Sequence, residues 1–448
     1  MKKHVIVTIL IGVLLAGPAF AGGQQEAEPS QGGGEAQAPV EISLWHQEQP
    51  PERQERFQEV IDAFNAQSPN VTVTQTVQSW GEAFTKTVGA LQAGRGPDIL
   101  FAIPGFAANI KMAAEDSVQP VDEIVAAIDD EHSYIDAATR PYFWDDTYWA
   151  VPLFGQVHLL YYNKAVYREA GLDPDAPPET WAELEEDITT FIDEGVTPYG
   201  IGVSASDTLA GDQFVYSLLA SNDAEYIFDE DGSIIFDNPK TVETYEFWSD
   251  LYENSPPGSL NYRWIEPQTA MFNGQTAFAF VLGGMLSNWD EQSGMPAEDL
   301  GAAFIPTGAG ADEGAIYYSN AAMVLTDDPA KQEAISEFLR FLHESETYGR
   351  FLTADPGLFL PVTETGQESE TFWNDPVITR YRALVELQIE QSAYGKLPGF
   401  NRDTFNPAIG RISGQNILAQ VAQKIAIDGW DAARAVEWGA EQMEAAGE

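Results

Sequence analysis

From Val40 to Trp45 the apolar Ile42 and Leu44 alternate with the polar Glu41 and Ser43, which predicts a strand with one buried face. Phe57, Val60, Ile61 and Phe64 follow at i, i+3, i+4 and i+7, the spacing of a helix that buries a single stripe. Val71, Val73 and Val77 then alternate with Thr72, Thr74 and Thr76 as a second strand. Ser79 and Glu82 have capping-box spacing at the head of a helix whose inner face is Phe84, Val88 and Leu91. Gly94-Arg95-Gly96-Pro97 stops that helix, and Asp98 to Phe101 forms a third strand, with Asp98 capping the turn before it. Strands and helices alternating at this spacing predict an α/β unit with a parallel sheet and right-handed crossovers.

A second patterned region runs Tyr148-Trp149-Ala150-Val151-Pro152-Leu153, Leu160-Tyr161-Tyr162-Asn163-Lys164, Glu169-Ala170-Gly171-Leu172 and Pro177-Pro178-Glu179-Thr180-Trp181. It predicts two short apolar strands flanking Phe154 to His158, a helix, a proline-rich turn and a second helix capped by Thr180 and Glu183. This order and spacing resembles the family 1 extracellular solute-binding proteins, the receptors of sugar-import ABC transporters, such as those for maltose and multiple sugars. Ala93 to Asp98 is similar to a turn of that family, and Phe272-Asn273-Gly274-Gln275-Thr276-Ala277-Phe278 to another of its segments. The amphipathic helix Ala330 to Leu342 adds to the likeness. Pro329 stands at its start, and Ile335, Phe338, Leu339 and Leu342 point inward. Together with Ser345-Glu346 and Gly357 to Pro361 it extends the similarity to about Pro361.

The resemblance implies a two-lobe type II periplasmic-binding-protein fold of α/β class, with the ligand cleft between lobes. Lobe one would comprise 40–150 plus 305–355, and lobe two 151–304 plus 356–448, the latter with C-terminal helices. The joins Ala150 to Leu153 and Ala303 to Thr307 would act as hinges. It further implies capture of a sugar or oligosaccharide by lobe closure and delivery to membrane permease subunits of an ABC transporter. The protein would be a monomer without enzymatic activity or cofactor. Alternatives are the same fold with a polyol phosphate or polyamine, and a secreted glycoside hydrolase. The hydrolase needs two carboxyls ~5–10 Å apart across a sugar.

Lys2-Lys3, an apolar run from Val5 to Gly17 and Ala19-Phe20-Ala21 read as a secretory signal over 1–21. Residues 22–39 are rich in Gly, Gln, Glu and Ala and read as a flexible tether. The chain has no cysteine, which removes a thioether lipid, disulfides and thiolate metal ligands. The expectation is a soluble periplasmic or extracellular protein. The few histidines show no H-E-x-x-H spacing, no G-x-S-x-G elbow or phosphate loop appears, and Asp229-Glu230-Asp231-Gly232 reads as a turn. The roughly 400-residue body calls for two domains.

Candidate ligand contacts sit at predicted strand ends and loops, because a sugar needs flat aromatic walls and planar hydrogen-bonding groups. Trp45, His46 and Gln47 end the first strand, Trp80 starts a helix on the same edge, and Gln156 lies between the two apolar strands. The resemblance adds Asp212 and Gln213 before an apolar helix, and Trp264, Gly283, Gly284 and Met285 from lobe two. It also adds Tyr318 and Asn320 after the second crossover, and Arg402 in a C-terminal loop. Relatives carry a tryptophan where Met285 stands, and Trp289 is the candidate substitute. Trp181, Phe191, Tyr245, Trp248 and Trp438 read as core.

The formal charge of −48 makes nucleic acid and anionic membrane surfaces unlikely partners. Charge of this density, spread over the whole length, fits a surface adapted to salt, as in a halophile. Melting temperature should therefore rise as NaCl goes from ~0.1 M to above 1 M, where the Debye length falls to ~3 Å and self-repulsion is screened. A flat or falling curve would reduce the charge to a plain solubility device.

Overall fold

The structure, a computed structural model, describes residues 39–282, 284–401 and 404–447. The signal, the tether up to residue 38, Gly283 and Arg402 lie outside the described residues.

Two sheets organise the chain. The strand Val40–His46 pairs in parallel with both Val71–Val77 and Ile99–Ala102, as the alternation predicts. This sheet continues through Ala315–Val324, which runs antiparallel to Ile99–Ala102 and to Val151–Val157, and in parallel with Gly395–Lys396. The second sheet has the order Leu300–Ala303, Leu159–Asn163, Phe278–Val281, Ile201–Gly202. Val151–Val157 and Leu159–Asn163 are thus consecutive strands of different sheets, and the chain changes sheet at His158. The crossing expected at Ala150 to Leu153 lies further along, because Val151 to Val157 stays paired to Ala315–Val324. For the same reason Phe154 to Val157 is strand and not the connection expected there.

The helices follow their stripes. Pro51–Gln67 buries Phe57, Val60, Ile61 and Phe64, and Phe57 stacks on Phe351 at 4.9 Å. Pro329–His343 buries Ile335, Phe338, Leu339 and Leu342. Thr180 and Glu183 form the reciprocal capping box at the head of Trp181–Asp193. Ser79 and Glu82 do not. The Ser79 hydroxyl faces the Glu82 carboxylate at 3.5 Å, and Glu82 pairs with Lys86 at 2.7 Å, so neither side chain reaches the backbone. Phe84, Val88 and Leu91 are half-buried and pack with Trp45 against a small second core around Leu100, Ala107 and Met323.

The Asp98 side chain does not cap the turn before its strand, because its carboxylate is engaged elsewhere. Its Oδ2 accepts from the Ser43 amide at 2.8 Å and hydroxyl at 2.9 Å, while Lys331 donates to Oδ1 at 2.8 Å. One carboxylate ties the first strand to the helix Pro329–His343. The turn at Asp229 to Gly232 closes as expected, with the Gly232 amide donating to the Asp229 carbonyl at 2.9 Å and φ at 84°.

The C-terminal helices Ile417–Ala426 and Ala432–Gly447 pack on Leu209–Ala220 and Pro239–Glu253. The short helix Ile409–Gly414 instead seats on Pro104–Ala113, which follows the third strand of the first sheet. The approach is close at Gly410, where a Cβ would come within 2.8 Å of the Asn109 amide and the Gly105 carbonyl.

His158, at the change of sheet, is buried and its Nδ1 lies 2.7 Å from the Ser217 hydroxyl. Burial pushes its pKa from 6.5 down to about 3. The neutral ring's contribution is fully present above the unfolded-state value and is lost as pH falls through the interval, since only the unfolded chain binds the proton there. Relative to His158→Gln, the wild type should lose about 2 kcal/mol of stability between about pH 7 and pH 5. Denaturant titrations at both pH values check this, and a constant difference would mean that the ring takes its proton without unfolding.

Candidate functional site

The strand Ala315–Val324 places Tyr318 and Asn320 on one face, since side chains alternate along a strand. Gln156 stands opposite Tyr318 in register on the neighbouring strand. Asn320 donates from its carboxamide to Gln156 Oε1 at 3.1 Å. The apolar helix Leu209–Ala220, buried from Ala210 to Ala220, brings Gln213 to the same place from the region of the second sheet. Gln213 Nε2 donates to the Tyr318 hydroxyl at 2.6 Å, and Gln213 Oε1 accepts from the Trp264 indole at 2.8 Å. Five of the sequence candidates therefore meet in one seam. All except the half-buried Trp264 are nearly excluded from solvent. Burial also raises the Tyr318 phenol's pKa, which keeps it a neutral donor and acceptor.

Asp212, on the same helix, has a different task. Its carboxylate accepts the Ala419 amide at 2.8 Å, and the Leu418 amide also bonds to it. These are first-turn amides of Ile417–Ala426, which would otherwise lack partners. Burial drives its pKa well above the usual carboxylate value, and the helix amides oppose that shift. Asp212 does line the seam, but its bonds fasten a helix.

The first-strand candidates divide by face. His46 is buried among Phe57 and Phe101. Its Nδ1 accepts the Glu48 amide at 3.2 Å and its Nε2 donates to Gln75 Oε1 at 2.8 Å. Burial lowers its pKa to about 4, so the ring is a neutral brace for the turn that follows, packed in the core. Gln47 is 2 % exposed and its carboxamide nitrogen has no partner, leaving a donor in reserve. Trp45 packs on the second core, and Trp80 meets Phe106 edge-on at 6.4 Å. Met285 and Trp289 are fully buried, and the Trp289 indole donates to the Pro296 carbonyl at 3.0 Å. Neither presents a face to the seam, so Trp289 does not stand in for the relatives' tryptophan. Gly284 adopts φ 84°, and a Cβ there would sit 3.8 Å from the Asp355 carboxylate.

That carboxylate belongs to a group the sequence did not reveal. Arg53 donates from Nε to Asp355 at 2.8 Å and also pairs with Glu48. Asp355 Oδ1 has no partner. Arg53 and Asp355 are 302 positions apart, and no local pattern connects them. Among the described residues no group of three or more His, Asp or Glu could hold a metal ion, and no helix is long and apolar enough to cross a membrane.

The seam is narrow. The part of it beside Gln213 and Tyr318, between Ile103 to Gly105 on one side and Ile409 and Ile412 on the other, holds about 50 Å³, room for a few water molecules.

Two sheets exchanging strands around a polar, aromatic seam define a two-part ligand-binding protein of α/β class. Residues 49–347 match the bacterial extracellular solute-binding protein family, and the chain belongs to it. It is similar to the putative ABC transporter periplasmic-binding protein YcjN of Escherichia coli K12, with 22% identity covering 87% of this chain and 88% of that one. It is also similar to the sn-glycerol-3-phosphate-binding periplasmic protein UgpB of Pectobacterium atrosepticum, at 24% identity over 74% of this chain and 76% of that protein. Among solved structures, an ABC transporter solute-binding protein from Thermotoga lettingae bound with α-D-tagatose superposes with a TM-score of 0.75. It shares 21% identity, covering 91% of this chain and all of its own. The fold is that of the type II periplasmic binding proteins, and the protein is the solute-binding component of an ABC importer.

The geometry at Asp212 makes a test. Asp212→Ala leaves two buried amides unpaired and should lower stability by about 1–3 kcal/mol, whereas Asp212→Asn keeps an acceptor and should lose less. Thermal unfolding of both variants decides it. Normal melting of Asp212→Ala together with weakened ligand binding would return this residue to direct recognition.

Proposed function

We propose that this protein captures a sugar or short oligosaccharide in the seam between its two sheets and passes it to membrane permease subunits, with no catalysis of its own. The observation that carries this reading is the uncharged relay Trp264–Gln213–Tyr318 beside the Asn320–Gln156 pair. Planar amides and a phenol can each donate and accept, which matches the rim of hydroxyls on a sugar, and an indole suits its C–H face. A phosphate would favour a guanidinium or ammonium that is not already neutralised. Arg53 is engaged by Glu48 and Asp355, which supports an uncharged ligand.

The enclosed space beside Gln213 and Tyr318, about 50 Å³, has no room for a sugar ring, so binding requires the two halves to stand further apart there. The lobes, on this reading, divide at His158 and in the segment 304–314, where the chain passes between sheets. Residues 1–21 direct export and 22–39 form the tether. The mature protein, starting at Gly22, is then a soluble, lipid-free monomer.

A thermal-shift screen against sugars, with glycerol 3-phosphate and spermidine included, tests the ligand class. A true ligand at a hundred times its Kd adds ~2.7 kcal/mol to stability. The expected result is stabilisation by a sugar and a smaller radius of gyration with it bound. Trp264→Ala should weaken binding roughly tenfold to a hundredfold, the value of an aromatic wall at about 1–3 kcal/mol. Stabilisation by glycerol 3-phosphate alone would move the ligand to the polyol phosphates, and turnover of a glycoside would make the protein a hydrolase.

A further inference from the structure

Gln213 and Tyr318 border a space whose remaining wall is mostly aliphatic. Ile103 and Pro104 come from just beyond the third strand, Leu209 from the head of its helix, and Leu397, Pro398 and Ile412 from the C-terminal part of the chain. The other polar side chains that reach this space are engaged or at some remove. Asp212 holds the amides of Leu418 and Ala419, and the Tyr216 hydroxyl donates to the Glu225 carbonyl at 3.3 Å. Ser413, the remaining hydroxyl, is half-buried beside Gly105.

A space of about 50 Å³ with such walls suits a methyl group better than it suits water. A buried water needs about two to four polar partners, and cavities lined by aliphatic side chains stay dry. A hydroxyl brought into the space gives up its hydration without a partner, whereas a methyl group leaves water and gains contacts. The aliphatic wall is also firmly built. Ile409–Gly414 is seated on Pro104–Ala113, so closely that a Cβ on Gly410 would meet the Gly105 carbonyl at 2.8 Å. Ile103, Pro104 and Ile412 therefore keep their places when the halves part for a sugar ring. At the border, the Tyr318 hydroxyl accepts from Gln213 and keeps its own proton to donate.

We propose that the sugar taken by the seam is a 6-deoxyhexose, free or at the end of a short oligosaccharide. Its C6 methyl fills the aliphatic space, and the ring oxygen or the C4 hydroxyl, both next to the carbon that bears the methyl, accepts from Tyr318. This rests on the reading of the seam as a sugar site and names the class of sugar. An acetamido group also ends in a methyl, but it carries an amide N–H and C=O toward the same aliphatic side chains, where they would lack partners.

Calorimetric titration of the mature protein with matched pairs tests this: L-rhamnose against L-mannose, and L-fucose against L-galactose. Each pair differs only in the C6 hydroxyl. The deoxy member of at least one pair should bind roughly tenfold to a hundredfold more tightly, the extent to which an apolar pocket rejects an added hydroxyl. Leu209→Thr and Leu397→Thr each put a hydroxyl on the wall at a half-buried position, and each should narrow that preference several-fold. Two variants on separate elements keep the test open if one of them melts early. Equal or tighter binding of the hydroxylated members overturns the proposal, as does a preference unchanged in both variants, or binding of N-acetylglucosamine with neither deoxy sugar. Each of these results leaves the seam a sugar site. If none of these sugars binds, the proposal also falls, and the wider sugar screen decides separately whether the seam takes sugars at all.

Discussion

The pairing of Val151–Val157 with Ala315–Val324 is the constraint on which the remaining architecture depends. One strand leaves the first sheet at His158 and the other returns to it, so this antiparallel pair carries the chain both ways between the halves. Every residue of both strands is buried, which fixes their register from both faces. Gln156, Tyr318 and Asn320 share a face only because that register holds, and Tyr317 is sent to the opposite face by the same rule. A slip of one residue would turn the Tyr318 phenol out of the seam.

Elements with a buried and an exposed side were legible in the sequence. Phe57, Val60, Ile61 and Phe64 announce their helix because solvent on the other side forces polar residues between them, and Ile42 and Leu44 do the same for the first strand. Thr180 and Glu183 were readable because a capping box is a local contract between neighbours. Ser79 and Glu82 have the same spacing but fail, since Lys86 one turn further on offers Glu82 a competing charge. Where a strand is buried on both faces the alternation disappears. Val151–Val157 consequently gave no sign of where it would end or which sheet it would join.

The site was legible by residue type and not by direction. Gln156 was found from its place between two apolar strands, and Gln213, Trp264, Tyr318 and Asn320 through the resemblance to the solute-binding family. His46 has a planar polar ring at a strand end and yet faces the core, because it shares the strand face of Ile42 and Leu44. Met285 and Trp289 fill the interior because a short helix turn directly after Gly284 rolls them inward. The Arg53–Asp355 contact joins two places 302 positions apart, a relation no window on the sequence contains.

Asp212 imposes an order of events. The wall of the seam that carries Gln213 is anchored, through that carboxylate, to amides at Leu418 and Ala419. More than 200 residues separate the anchor from its anchorage, since the bond to Ala419 spans 207 positions. A chain synthesised from its amino end presents Asp212 long before residue 419 emerges. Until then an acid that ends up buried and an apolar helix stand uncovered, and the wall of the seam is not yet anchored. The wall that carries Gln213 is thus completed only once the C-terminal helices have joined it, and not progressively along the chain.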